Sequence, residues 1–177
     1  MSLFDIQKTD TLNKNAPLAQ RMRPQNLDEI LGQDHIIGPG KLLRRAIETD
    51  KLSSLIFYGS PGCGKTTIAT VIANVTDKFY ASLNAVTDGV AELRKITSKA
   101  EENLSMYGKQ TILFIDEIHR FNKGQQDALL PWVEKGLIVL IGATTQNPYF
   151  SLNPALLSRS MIFELHPLSK EDIAALI

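Results

Sequence analysis

Apolar positions along the chain change their spacing several times, and each change marks a predicted element. From Asn26 to Leu31 the pattern reads as one short helical turn, with Asn26 as its cap. Gly38, Pro39 and Gly40 break it. Lys41 to Thr49 then carries Leu42, Leu43, Ala46 and Ile47 at helical spacing. At Leu55 the character shifts. Leu55 to Tyr58 is a short apolar run ending in a glycine loop, and Lys65 to Val75 follows as a helix whose Ile68, Ala69, Ile72, Ala73 and Val75 share a face. Phe79 to Leu83 reads as a weak strand and Val90 to Leu104 as a polar helix. Thr111 to Ile115 is continuously apolar, as a strand covered on both sides must be. Gly124 to Val133 is helical, Leu137 to Ala143 is a second buried strand, and Met161 to Leu165 a last short one.

Strands alternating with helices at this spacing predict an α/β fold, a parallel sheet with helices on both faces. The opening residues through Pro24 lack periodicity and read as an extended or partly disordered lead-in. At the other end a helix begins near Ser169, and Ile173, Ala174, Leu176 and Ile177 start an apolar face with nothing after it. The expectation is that a further domain follows.

Composition narrows the class without choosing within it. The 177 residues suffice for one ordinary domain. Nineteen basic side chains balance nineteen acidic ones, so no whole-surface basic field exists to grip nucleic acid non-specifically. One cysteine, Cys63, excludes an intrachain disulfide, and no stretch approaches the ~20 apolar residues of a membrane span. The reading is a soluble, cytoplasmic protein.

Chemistry enters with the loop after the first strand. Gly59, Ser60, Pro61, Gly62, Cys63, Gly64, Lys65 and Thr66 fit G-x-x-x-x-G-K-[ST], set between a strand and a helix as that motif requires. Glycines let backbone N–H groups turn inward around phosphate oxygens, and the helix that follows presents its positive end there. Lys65 adds a charge for the β- and γ-phosphates, and the Thr66 hydroxyl is a hard ligand for Mg²⁺. Thr67 completes the nucleotide-binding set. The expected ligand is Mg-ATP. Cys63 reads as a small filler residue, with a redox role as the alternative.

Asp116 and Glu117 end the Thr111–Ile115 run, at the sheet edge where open α/β folds bind ligands. Asp116 there can sit beside Mg²⁺, partly through water, and Glu117 can orient a water in line with the γ-phosphorus. The alternative is two solvated carboxylates opening a loop. His119 and Arg120 read as surface residues or as neighbours supporting the catalytic group. Thr145 or Asn147, after the second buried strand, can hydrogen-bond the water or the γ-phosphate, or can simply be turn residues before Pro148. Arg159 can complete a phosphate site in a neighbouring subunit, or can be a surface ion-pair partner.

Taken together, Pro17 to Pro24, Leu31-Gly32-Gln33, Gly59 to Thr66, Asp116-Glu117, Gly142 to Thr145 and Ser158-Arg159-Ser160 resemble the AAA+ ATPases. The nearest branch holds clamp-loader subunits and the Holliday-junction motor. Within it, Asp116 to Asp127 and Ala143 to Pro148 resemble the family of bacterial replication-associated recombination proteins and eukaryotic Werner-helicase-interacting proteins.

The resemblance implies a five-stranded parallel sheet sandwiched between helices. It divides the chain into a flexible lead-in (1–16), an ATPase core (17–168) and the start of a truncated helical lid (169–177). It assigns Lys65 and Thr66 to phosphate and Mg²⁺, Asp116 to the metal, Glu117 to water activation, and Thr145 to the first sensor. It makes Arg159 an arginine finger acting in trans; Ser160 stands where the family motif has cysteine. Arg21 to Gln33 matches the element over adenine, with Ile30 and Leu31 as apolar base contacts.

It further implies a homotetrameric, DNA-dependent ATPase acting at forks, single-stranded gaps and duplex ends, associated with the nucleoid. Single-stranded-DNA-binding protein would be its partner, and assembly would run through a carboxyl-terminal region. Without lid and assembly region, the expectation for this chain is weak nucleotide binding, slow turnover and a monomer.

Direct signs of DNA contact are few. Arg94, Lys95 and Lys99 can face a DNA path, or can be a solvated face balanced by Glu92, Glu101 and Glu102. Ser2-Leu3-Phe4 faintly resembles sliding-clamp-binding peptides, against a disordered-tail reading. Two other classes compete with the motor: a nucleotide-dependent assembly switch with negligible turnover, and a small-molecule phosphotransferase. The latter gives Arg159 and the lead-in no purpose.

Overall fold

In the computed structural model, which describes residues 23–175, five strands run parallel in the order β2-β3-β4-β1-β5. They are β1 (Ser54–Tyr58), β2 (Phe79–Asn84), β3 (Thr111–Asp116), β4 (Ile138–Thr144) and β5 (Ser160–Glu164). The helices are α1 (Asp34–Ile37), α2 (Leu42–Glu48), α3 (Lys65–Val75), α4 (Val90–Tyr107), α5 (Lys123–Glu134), α6 (Pro148–Ser151), α7 (Pro154–Leu157) and α8 (Lys170–Ala175). The expectations for the 1–16 lead-in, Ser2-Leu3-Phe4, Arg21 and the last two residues lie outside the described residues.

Strand alternation divides the core in two. Leu55, Phe57, Ile112, Phe114, Val139 and Ile141 point to one face, where Ile68, Ala69 and Ile72 of α3 and Leu43 and Ile47 of α2 cover them. Ile56, Leu113, Ile115, Ile138 and Leu140 point to the other, against Leu93 and Ala100 of α4, Leu129 of α5 and Leu156 of α7. Side chains of period 2 on the strands meet stripes of period 3.6 on the helices, and water is excluded from both faces. The predicted sheet with helices on both sides is what the chain adopts.

Differences from the sequence reading are local. The Asn26 turn is a 3-10 helix confined to Leu27–Glu29, with the Asn26 side chain accepting from Asp28 N (3.1 Å) and Glu29 N (3.2 Å). Helix α1 was not expected; four residues are too few to show a period. Helix α4 runs past Leu104 to Tyr107 although Met106 and Tyr107 are exposed, and it stops only where Gly108 turns left-handed (φ 66°). Its end is set by that glycine, not by burial. Helix α5 begins at an Asn122–Gln125 capping box, each side chain bonding the other residue's backbone N–H at 2.9 Å. Ser169 and Asp172 exchange similar bonds at the start of α8, at 2.9 and 3.0 Å.

Candidate nucleotide site and its polar relay

Three loops that leave the carboxyl edges of β1, β3 and β4 meet in one cleft of about 350 Å³. The register explains why. Strand β1 lies between β4 and β5, and β4 bridges β1 to β3, so Tyr58 pairs with Thr144 and Ile115 with Gly142. The glycine loop, the acidic pair and the polar end of β4 are thus neighbours, though far apart in sequence.

The glycine loop is pinned at its root. Gly59 N donates to Thr144 O (3.2 Å), Leu165 N donates to Tyr58 O (2.8 Å), and a Cβ on Gly59 would lie 2.4 Å from Leu165 O. Gly62 (φ 79°) and Gly64 (φ 97°) take conformations that side chains resist, and Gly64 caps α3. Cys63 is buried, its sulfur tucked under the loop, which is the filler role expected of it. The Lys65 ammonium donates to Gly59 O and Ser60 O, both at 2.8 Å. Those carbonyls shape a held lysine that a phosphate oxygen can take over.

Buried Gln33 ties this loop to the chain beyond β5. Its amide donates to His166 O (2.8 Å) and Cys63 O (3.3 Å), and its carbonyl accepts from His166 N (3.2 Å). At the end of β1 the Tyr58 hydroxyl donates to Glu164 (2.9 Å), and that bond holds the phenol above its ordinary range, so it stays a neutral donor.

On the opposite wall, Glu117 leaves β3 in the left-handed conformation (φ 52°), its N–H donating to Asp116 Oδ1 at 3.0 Å. One oxygen of its carboxylate, Oε2, is engaged by Thr145 Oγ1 (3.4 Å) and faces His119 Nδ1 (3.2 Å). His119 Nδ1 also lies 2.9 Å from Thr144 Oγ1, and Thr144 Oγ1 accepts from Gln146 N at 3.0 Å.

Of the residues predicted for the site, Pro61, Gly62, Gly64, Lys65, Thr66, Thr67, Asp116, Glu117 and Thr145 line the cleft. Ser60 is exposed at the loop tip. Ile30 and Leu31 are half-buried and outside the cleft wall, Ile30 packing against the core under α3. Asn147 has the turn role: its side chain accepts from Tyr149 N (3.0 Å) and caps α6. Arg23, inside the Arg21 to Gln33 segment matched to the element over adenine but not singled out within it, joins the cleft wall.

Of the two readings left open for His119, surface residue or neighbour supporting the acidic pair, the structure favours the second. Its side chain is only 6% exposed and contacts Glu117, so it supports the carboxylate. Sequence left both readings open, because the bonding partner Thr144 comes from β4.

Arg159 is not brought to the cleft. It precedes β5, at the amino edge of the sheet, where its guanidinium meets Glu134 (2.7 Å), Ala155 O (2.9 Å) and Ser158 Oγ (3.1 Å). With ~3.3 Å per strand residue, the length of β5 alone puts roughly 15 Å between it and the glycine loop. It cannot act on its own chain's cleft.

The fold is that of a P-loop ATPase, and the chain belongs to the AAA family, ATPases associated with various cellular activities, whose model matches residues 55–168. Within it, the chain is 53% identical to replication-associated recombination protein A of Escherichia coli over 91% of its length, and 47% identical to ATPase WRNIP1 of Dictyostelium discoideum over 92%. An uncharacterised AAA domain-containing protein of Mycobacterium tuberculosis is 50% identical over 92%. Among solved structures, the Thermotoga maritima RuvB Holliday junction branch migration motor matches with TM-score 0.71 and 28% identity, over 88% of this chain and 52% of that one. The chain spans 36% of the length of the two bacterial relatives and 18% of the Dictyostelium protein.

Proposed function

We propose that the chain is the ATP-hydrolysing unit of a homo-oligomeric, DNA-dependent ATPase that maintains replication forks and serves recombination and repair. The observation that carries the hydrolytic part is the Glu117 carboxylate. It faces the same cleft as Lys65 and Thr66 and is held there through one oxygen.

The donor set suits Mg²⁺. Thr66 and Asp116 offer two hard oxygens to the cleft, and among the described residues no group of three or more His, Cys, Asp or Glu side chains could hold a metal alone. Mg²⁺ is content with one or two protein oxygens when phosphates and water supply the rest. When bound, it neutralises charge developing on the β- and γ-phosphate oxygens.

The chain's own residues do the remainder. Loop N–H groups and Lys65 hold the phosphates, and Thr145 fixes Glu117. Glu117 Oε1, which has no hydrogen-bond partner among the described residues, accepts a proton from the attacking water. That water's oxygen bonds to the γ-phosphorus while the bond to the β–γ bridging oxygen breaks, and ADP leaves with the electron pair. Arg159 of a neighbouring subunit completes the charge shell.

The DNA-linked role rests on the resemblance to proteins named for replication, recombination and branch migration. The whole assembly would be tetrameric, act at gaps, duplex ends and forks in the nucleoid, and work with single-stranded-DNA-binding protein. Helix α4 offers that role little net charge, since Lys95 pairs with Glu92 (2.8 Å) and Lys99 with Glu102 (2.7 Å).

Turnover of the intact protein, measured with single strands, gapped duplexes, blunt ends and forks, tests the reading. At least one DNA is expected to raise the rate; a flat response to all four removes the DNA-dependent part. Glu117→Gln is expected to lower turnover at least ~100-fold with ATP binding kept. Cellular function surviving that loss would favour the assembly switch instead.

A further inference from the structure

We infer that His119 is a positioning residue for hydrolysis: it locks Glu117 in its working orientation by tying the carboxylate to the buried end of β4. This deepens the assignment of Glu117 as the water-activating base and rests on it.

The argument starts from backbone. Glu117 sits at φ 52°, which costs a non-glycine residue ~1–2 kcal/mol and leaves its side chain on a turn with no helix or strand beneath it. Such a carboxylate needs an external hold. Thr145 gives a long one, 3.4 Å. His119, two residues on and in a 3-10 turn (Ile118–Arg120), brings Nδ1 to 3.2 Å from the same oxygen.

The proton map is self-consistent. A carboxylate oxygen can only accept, so it selects the imidazole form with hydrogen on Nδ1. That single hydrogen is then shared between Glu117 Oε2 and Thr144 Oγ1, 2.9 Å from the nitrogen, and Thr144 Oγ1 also accepts from Gln146 N (3.0 Å). Its own hydroxyl hydrogen turns to Gln146 O, at 3.5 Å. Thr144 is fully buried at the end of β4 and paired in register with Tyr58, so it is an immobile anchor. The imidazole is a strut from the rigid sheet to the carboxylate on the turn, and misplacement of a reacting group by about an ångström can cost ~100-fold in rate.

The test compares His119→Ala, His119→Asn and His119→Gln in the intact protein. Asparagine places an amide N–H where Nδ1 stands, while glutamine reaches the Nε2 position. The alanine and glutamine variants are expected to lose roughly ten- to a hundredfold in kcat with the Kd for ATP within about twofold of wild type, and the asparagine variant to recover most of the loss. Wild-type kcat in His119→Ala overturns the inference. So does equal loss in the asparagine and glutamine variants, or a loss matched by weakened ATP binding. Should alanine prevent folding, the asparagine–glutamine pair still decides. Glu117→Gln, assayed in parallel, separates the two readings. If it keeps wild-type turnover, the base assignment itself fails; if it is inactive while His119→Ala is normal, only the role of His119 fails.

Discussion

At Glu117 the backbone is itself part of the site. The left-handed turn swings the carboxylate out of line with β3 and over the cleft, which a continued strand would not do. Asp116, one residue earlier, ends the strand and accepts from Glu117 N–H, so two adjacent carboxylates take different jobs. Gly59 shows the same dependence from the other wall. Its Cα lies so close to the β5 exit that a methyl group would sit 2.4 Å from Leu165 O and 3.1 Å from Cys63 Sγ. Backbone cannot yield as a flexible side chain can. Gly59→Ala is therefore expected to cost ~1–3 kcal/mol of stability, read as a lowered Tm, and to weaken ATP binding as the loop is pushed off Tyr58 and Leu165. An unchanged Tm would mean that the loop root is looser than its hydrogen bonds indicate.

Among the elements, α5 shows how far local chemistry reaches. Its Asn122–Gln125 box starts the helix just after the 3-10 turn that leaves β3, and Gln126 Nε2 donates to Phe121 O (2.9 Å) beneath it. Gln126 Oε1 in turn accepts from Asn153 N (2.7 Å), which orients α7 and the approach to Arg159. Asn122→Ala removes the cap and is expected to cost ~1 kcal/mol by chemical denaturation, with the slope on denaturant unchanged. ATP binding should stay intact, because α5 does not line the cleft. A stability change below ~0.3 kcal/mol would show that tertiary packing alone starts this helix.

Across the whole molecule, the cleft and Arg159 lie at opposite edges of the sheet. The cleft opens at the carboxyl edge of the sheet, while Arg159 waits at the amino edge, paired with Glu134 (2.7 Å) beside a second cleft of about 420 Å³. A parallel sheet separates its two ends by the full strand length, so Arg159 cannot reach its own chain's cleft, and in the proposed assembly a neighbour's Arg159 would complete it. Arg159→Ala is expected to keep ATP binding and to lose on the order of 1,000-fold in turnover. Mixing it with inactive Glu117→Gln should restore part of the rate, since some junctions then join an intact Glu117 to an intact Arg159. No recovery in mixed assemblies would argue against action in trans.

The amino-acid sequence by itself determined the elements and the chemistry carried on contiguous residues. Periodicity marked all five strands and the long helices because burial on two faces leaves an unbroken apolar record in strands such as Thr111–Ile115 and Leu137–Ala143. The glycine loop and Asp116-Glu117 were legible because phosphate and metal chemistry demand those residue types at short, local spacing. What remained for the tertiary structure were relations between distant segments. The His119–Thr144 contact, the Gln33 tie to His166 and the placement of Arg159 all depend on strand order, with β4 between β1 and β3 and β1 beside β5. A one-dimensional pattern records which side of its own element a residue faces. It does not record which strand becomes that element's neighbour, and here the neighbour decides which histidine lies against the glutamate and which arginine is kept away from its own chain's cleft.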